Sequence, residues 1–391
     1  MASSNDGYSE IGVAHRRYGD LPFGIALPDR LFHMYLIGQT GAGKSTLIAN
    51  LARQDAAAGI GFCLIDPHGD LASHLSKNLT APHRYWNVAD PLSPYGYNPL
   101  TAVTAELRPL VASGLIGTLK KQWADAWGAR MEHLLRYAIL ALLEQPRTDL
   151  REIVPLFHDK ELRRRVAANV TDPQVQEFWR KEFPAMNYKS AIDGVAPIAN
   201  KIGAFLAHPI VRKAICEPVE PLRFRRIMDA GEIIIVNLAK GRLGADVANV
   251  LGGLLVSSIT NAAFSRHDQP EAARRPFFLY VDEFPAFSTT AFAGMLSELR
   301  KYRLGLVLAQ QYLEQAEKAV IEAIIGNVGT IMAFRIGALD APLFVKQLHD
   351  ISIRDLVSQP NYHAYAQLMV RGLKSKTFSA TTYPFPHDAA A

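Results

Sequence analysis

Residues Gly38 to Ser45 read Gly-Gln-Thr-Gly-Ala-Gly-Lys-Ser, and they constrain the fold more than any other segment of the chain. The apolar run His33 to Ile37 precedes them and reads as a short strand. The stretch from Ser45 to Ala58 follows with the apolar spacing of a helix. A glycine-rich turn between a strand and a helix lets backbone N–H groups approach an anion, and the helix N-terminus adds its positive end. The candidate phosphate cradle is therefore Gly38, Gln39, Thr40, Gly41, Ala42, Gly43, Lys44, Ser45 and Thr46. Lys44 is placed to reach the outer phosphates of a nucleotide, and the Ser45 hydroxyl to ligate Mg²⁺. A chance glycine turn would lack this context.

The rest of the chain predicts an α/β architecture. Phe62–Ile65, Ile233–Val236, Phe277–Val281, Gly305–Ala309 and Thr330–Phe334 are continuous apolar runs, as strands buried on both faces require. Tyr85–Val88 is a further candidate strand. Helical patterns over Asp246–Phe264, Phe292–Tyr302 and Gln315–Ile325 alternate with the later strands. Such alternation gives a mostly parallel central sheet with ligands at its carboxyl edge.

Between Thr104 and Arg226 the character changes. Met131, Leu134, Leu135, Ala138, Ile139 and Leu142 form one helical stripe, and three of the four tryptophans lie here. The tryptophans (Trp123, Trp127 and Trp179) read as core, with nucleic-acid stacking the alternative. The clusters Arg163–Arg165, Arg180-Lys181, Arg212-Lys213 and Arg223 to Arg226 read as a solvated face, with DNA contact the alternative. The expected organisation is a loose polar arm at 1–20, an α/β nucleotide-binding domain at 21–103 and 227–391, and an all-helical insert at 104–226.

Asp282 and Glu283 follow the strand Phe277–Val281. An acid there can reach the Mg²⁺ across the sheet, and a second beside it can polarise an attacking water. The expected site therefore binds ATP and Mg²⁺ and hydrolyses ATP, with Ser45 and Asp282 on the metal and Glu283 as base. Gln310 and Gln311 end the strand Gly305–Ala309, where an amide can sense the terminal phosphate and orient water. His68 and His74 lie near Asp66 and Asp70 and read as structural.

Net charge is +5, a weak pointer to a polyanionic partner. Two distant cysteines, Cys63 and Cys216, offer no disulfide framework and fit a reducing cytoplasm. The opening residues lack the apolar core of a signal peptide. The most apolar stretch, from Val247 to Phe264, carries two asparagines and a glycine pair, and reads as a buried helix.

Together these segments resemble the HerA/FtsK class of P-loop ATPases, and within it the TraG/TraD-like conjugative coupling ATPases of type IV secretion. The resemblance is carried by Asp29-Arg30 with His33–Thr46, Leu64–Leu71, Asn98–Leu100, Trp127–Glu144, Tyr280–Phe284, Leu296–Gln311 and Asn327–Arg335. It implies a RecA-like P-loop NTPase, working as a hexameric motor that moves DNA through a central pore. It places the family glutamine at Gln311, suggests Arg300 as an arginine finger with Arg335 as the alternative, and puts the helical insert at the DNA entrance. A secretion component, relaxase or nuclease is the kind of partner it suggests. The chain is expected to be cytoplasmic, without a membrane span of its own and recruited to the inner membrane face by a partner. A protein-exporting ATPase and a nucleotide-gated assembly subunit are the rival readings.

Overall fold

The computed structural model describes residues 7–101, 103–186 and 188–385. The chain divides into two compact units. The first comprises Met1–Tyr85, Arg225–Leu238 and Arg266–Ala391, and the second Trp86–Phe224 and Ala239–Ser265.

The first unit is built on an eleven-stranded sheet. In chain order its strands are β1 (Tyr8–Ala14), β2 (Leu21–Ala26), β3 (Met34–Ile37), β4 (Gly61–Asp66), β5 (Arg84–Asn87), β6 (Ile233–Asn237), β7 (Phe277–Val281), β8 (Leu304–Gln310), β9 (Thr330–Ala333), β10 (His363–Gln367) and β11 (Phe378–Thr382). Their order across the sheet is β2-β1-β11-β10-β9-β3-β8-β7-β4-β6-β5. The run from β9 to β6 is parallel throughout. Every residue of β3, β4, β7 and β8 is buried, which is why these strands are unbroken apolar runs rather than alternating ones. Because the central strands point the same way, Ile37, Asp66, Val281 and Gln310 all end at one edge.

The flank from β9 to β2 is antiparallel. Here the structure corrects the expected loose arm: residues 8–14 are β1, held between β2 and β11. The segment is polar in composition, but Ser9, Ile11 and Ala14 turn inward. The Gln54 amide clamps the strand at both backbone groups of Glu10, at 2.8 and 2.9 Å.

Beneath the sheet, the Arg30 guanidinium is fully enclosed. It donates to Asp55, Ser9 and the Tyr280 hydroxyl and stacks 3.9 Å over the Phe278 ring. A buried charge of this kind persists only when paired, and these bonds join β1, β7 and α1 (Lys44–Ala57).

The second unit is mainly helical. Its helices include α3 (Arg108–Gln122), α4 (Ala129–Leu143) and α5 (Ala245–Phe264), α2 being Asp70–Asn78 in the first unit. A two-residue parallel pairing of Tyr95–Gly96 with Glu220–Pro221 also lies here. The six residues of the predicted stripe in α4 are all buried. Helix α5 falls in this unit rather than in the α/β part to which 227–391 was expected to belong. Small residues explain the packing: a Cβ on Gly114 of α3 would lie 2.2 Å from Ser257 Oγ, and one on Gly253 would lie 2.6 Å from Thr118 Cγ2. The region around α5 is long and apolar enough to cross a membrane, but 61% of that window is buried in the protein. Trp179 is core, packed against Phe157, Phe178 and Phe183, with its indole N–H on the Tyr137 carbonyl at 3.1 Å.

Candidate active site

The loop between β3 and α1 wraps the start of the helix. Gly43 is the N-cap with φ of 118°, which an L-residue tolerates poorly. The Lys44 ammonium lies along the loop's own carbonyls, 2.5 Å from Gly38 O and 3.1 Å from Gln39 O. Burial pushes its pKa down, and the nearby Asp282 and Glu283 carboxylates oppose that. Tyr362, just ahead of β10, packs against the loop at Gly43 and donates its backbone N–H to Ala42 O at 2.8 Å.

Ser45 Oγ donates to Asp282 Oδ2 at 3.1 Å. Cis ligands on an octahedral Mg²⁺ with bonds of about 2.0–2.1 Å stand about 2.9 Å apart, so this oxygen pair fits one edge of a Mg²⁺ shell. The surroundings fit a cation too. Asp282 titrates above the ordinary carboxylate range, first because it is buried and then because Asp66 and Glu283 lie near. Among the described residues no group of three His, Cys, Asp or Glu side chains could hold a metal alone. A site sharing its ion with substrate phosphates needs no such cage.

Glu283 begins the turn after β7 in a left-handed conformation, with φ of 50°. Its Oε1 accepts from Gln311 Nε2 at 2.6 Å, and its Oε2 lies 3.0 Å from His68 Nε2. The two adjacent glutamines part company here. Gln310 is fully buried and bound to Tyr35, Tyr312 and Leu313, whereas Gln311 faces the cleft.

The cleft has a volume of about 770 Å³. It is lined at one end by Asp282, Glu283 and Gln311, along its floor by Gly43 to Thr46, and at the other end by Leu71, His74 and Phe385. Phe385 reaches it because Asn50 of α1 holds the preceding carbonyls of Tyr383 and Pro384. Its ring meets that of His74 edge-on at 4.4 Å.

The two candidate arginines sit at opposite ends of the sheet. Arg335 follows β9 beside the phosphate loop, with Nε on Gln39 Oε1 at 3.2 Å and Nη1 on Gln359 O at 3.2 Å. Arg300 is exposed at the amino end of β8, just after α6 (Thr290–Leu299), with its guanidinium 4.0 Å over the Phe32 ring.

Several residues of the cleft escape sequence reasoning. His68, read as structural, touches Glu283. Asp66 had a visible signal, since an acid ending a buried strand belongs at the carboxyl edge. Its carboxylate accepts from the backbone N–H groups of His68 and Ala72, both at 2.9 Å, and fixes the turn. Tyr362 and Phe385 carried none: they come from a distant segment and resemble any aromatic near a strand.

No curated protein matches the chain. Among solved structures, the bacterial conjugative coupling protein TrwB, in its unbound monoclinic form, aligns over 92% of this chain and 87% of its own, with a TM-score of 0.64 and 15% identity. TrwB in complex with ADP and Mg²⁺ aligns over the same shares with a TM-score of 0.64 and 16% identity. VirB4 of Thermoanaerobacter pseudethanolicus aligns over 99% of both chains, with a TM-score of 0.61 and 14% identity. These likenesses establish a shared RecA-like P-loop NTPase fold. The family described as Helicase HerA, central domain, matches residues 17–255, well over half of the chain, and to that family this protein belongs.

Proposed function

We propose that this protein is an ATP-hydrolysing motor that translocates DNA, working as a homohexamer in a DNA-transfer or DNA-processing system. The observation that carries the reading is the convergence of Ser45, Asp282, Glu283 and Gln311 on one cleft beside the phosphate loop. ATP binds along the floor of that cleft, with its phosphates on the loop amides and Lys44. Ser45 and Asp282 hold Mg²⁺, which supplies charge neutralisation at the outer phosphates. Glu283 takes a proton from the attacking water, and Gln311 orients it. The chain acts in the cytoplasm and is brought to the inner membrane face by a secretion, relaxase or nuclease partner.

DNA enters this reading through family membership and the basic clusters of the second unit. The deciding experiment is the ATPase rate with and without duplex and single-stranded DNA, followed by displacement of a triplex-forming strand. Stimulation together with displacement supports translocation. Hydrolysis that ignores DNA favours a protein-exporting ATPase, and stimulation without displacement favours a nucleotide-gated assembly subunit.

A further inference from the structure

Glu283 is gripped on two sides. Gln311 holds Oε1, and the imidazole of His68 stands 3.0 Å from Oε2. A base that takes a proton from water must offer it a lone pair in the right direction. A carboxylate bonded at one oxygen by Gln311 and faced at the other by an imidazole is restrained in direction. The backbone adds to this, since Glu283 sits in the left-handed region that a non-glycine residue avoids. Such positions persist only when their surroundings hold them.

The His68 side of the grip is rigidly mounted. Asp66 pins the turn through the backbone of His68 and Ala72. Pro67 precedes His68 and Gly69 follows with φ of 98°, where an added Cβ would stand 2.3 Å from Asn237 Oδ1. The turn therefore allows little freedom in where His68 points. The side chain itself is 53% exposed, while that of Glu283 is 16% exposed. A contact this open contributes little to stability, so packing does not account for a turn that aims the imidazole at the base.

We infer that His68 is a positioning residue that restrains Glu283, so that each turnover must first break the His68–Glu283 contact. The inference rests on the proposed role of Glu283 as the water-activating base. The restraint slows hydrolysis, because the contact with the imidazole must open before the carboxylate can turn to the attacking water. Removing His68 frees the carboxylate without removing it.

The test compares His68→Ala, His68→Gln and Glu283→Gln in the full chain. His68→Ala is expected to raise the DNA-free kcat by about threefold or more with little change in KM. His68→Gln keeps a side-chain N–H donor and is expected to return toward the wild-type rate. In the Glu283→Gln background, His68→Ala is expected to change nothing further, because the restrained group is gone. A readout free of catalysis is the side-chain NMR signal of His68 in nucleotide-free protein, which should shift on Glu283→Gln. An unchanged signal, or a His68→Ala rate at or below wild type with intact nucleotide affinity, would overturn the restraint. A near wild-type rate in Glu283→Gln would instead overturn the assignment of the base, so the two failures are distinct.

Discussion

The Thr40 hydroxyl donates to Gln311 Oε1 at 3.2 Å, which ties the phosphate loop to the residue that follows β8. Gln311 then passes the connection to Glu283. Loop, amide and carboxylate thus form one chain of contacts, and binding can be separated from chemistry along it. Lys44→Ala is expected to lose nucleotide affinity, because the phosphates lose their buried point charge. Glu283→Gln should still bind ATP but turn over at least ~100-fold more slowly. Nucleotide titration and steady-state ATPase rates on the same samples check both.

The two arginines call for different outcomes on mixing subunits. Arg300 lies at the sheet end away from its own phosphate loop, so a role on ATP is open to it only across a subunit boundary. Arg300→Ala and Glu283→Gln subunits should each be nearly inactive alone, and mixed rings should regain part of the activity. An arginine finger is worth roughly 10³-fold in rate or more where one operates. Arg335 bonds to Gln39 of its own loop, so Arg335→Ala should impair nucleotide binding in the subunit that carries it. If native mass spectrometry confirms mixed rings and Arg300→Ala still shows no recovery, Arg335 becomes the candidate.

The basic cluster at Arg163, Arg164 and Arg165 does not act as a unit. Arg163 donates to the Leu156 and Phe157 carbonyls, which close a helix end, and lies 5.1 Å from the centroid of the Phe183 ring. Arg163→Glu should therefore lower stability by about 1–2 kcal/mol whether or not DNA binds. Arg164 is mostly exposed and pairs with Glu161, which is more exposed still. Reversing Arg164 and Arg165 should leave the denaturation midpoint nearly unchanged, and reports cleanly on DNA. If the two side chains neutralise phosphates, the slope of log affinity against log salt should become shallower by about one per arginine reversed.

His33 predicts an acid sensitivity. Its Nε2 donates to Leu296 O at 2.9 Å and its Nδ1 accepts from Leu306 N at 3.2 Å, so both ring nitrogens serve the neutral form. Burial lowers its pKa from 6.5 to about 4, against the pull of the Leu296 carbonyl and with help from Arg300. The unfolded chain binds this proton below about pH 6.5 and the folded chain does not until about pH 4. This contribution to stability is therefore full above pH 6.5 and declines as pH falls to 4, by at most about 1.4 kcal/mol per pH unit. Urea midpoints across that range measure the slope. An imidazole NMR signal that titrated near 6.5 would refute the assignment, and Arg300→Ala should move the titration upward.

The parts of the fold that could be read from sequence were those fixed by local pattern. Phe277–Val281 is a strand with the bounds its apolar run suggests, because a central parallel strand leaves no polar alternation to blur its ends. The segment at residues 8–14 misled because its partner, β11, lies at the other end of the chain. Helix α5 misled because an all-round apolar helix does not say what it packs on; the glycines that seat it against α3 matter only once both helices are placed. In the cleft, His68 gave a turn but no aim. Its contact with Glu283 depends on β4 and β7 lying side by side, a fact of topology rather than of spacing. Tyr362 and Phe385 were hidden for the same reason as β1.

The position of β11 between β1 and β10 has a consequence for biosynthesis. β1 cannot take its place until β11 has left the ribosome. Until then residues 8–14 have only the neighbouring β2 hairpin to pair with, and the Gln54 clamp has an unanchored strand to hold. Closure of this flank pairs Gly12 with Thr382, a contact of very long sequence separation and the kind of pairing that forms late. A truncated chain lacking residues 378–382 would expose two strand edges at once, and should be recognised by chaperones and proteases as unfinished.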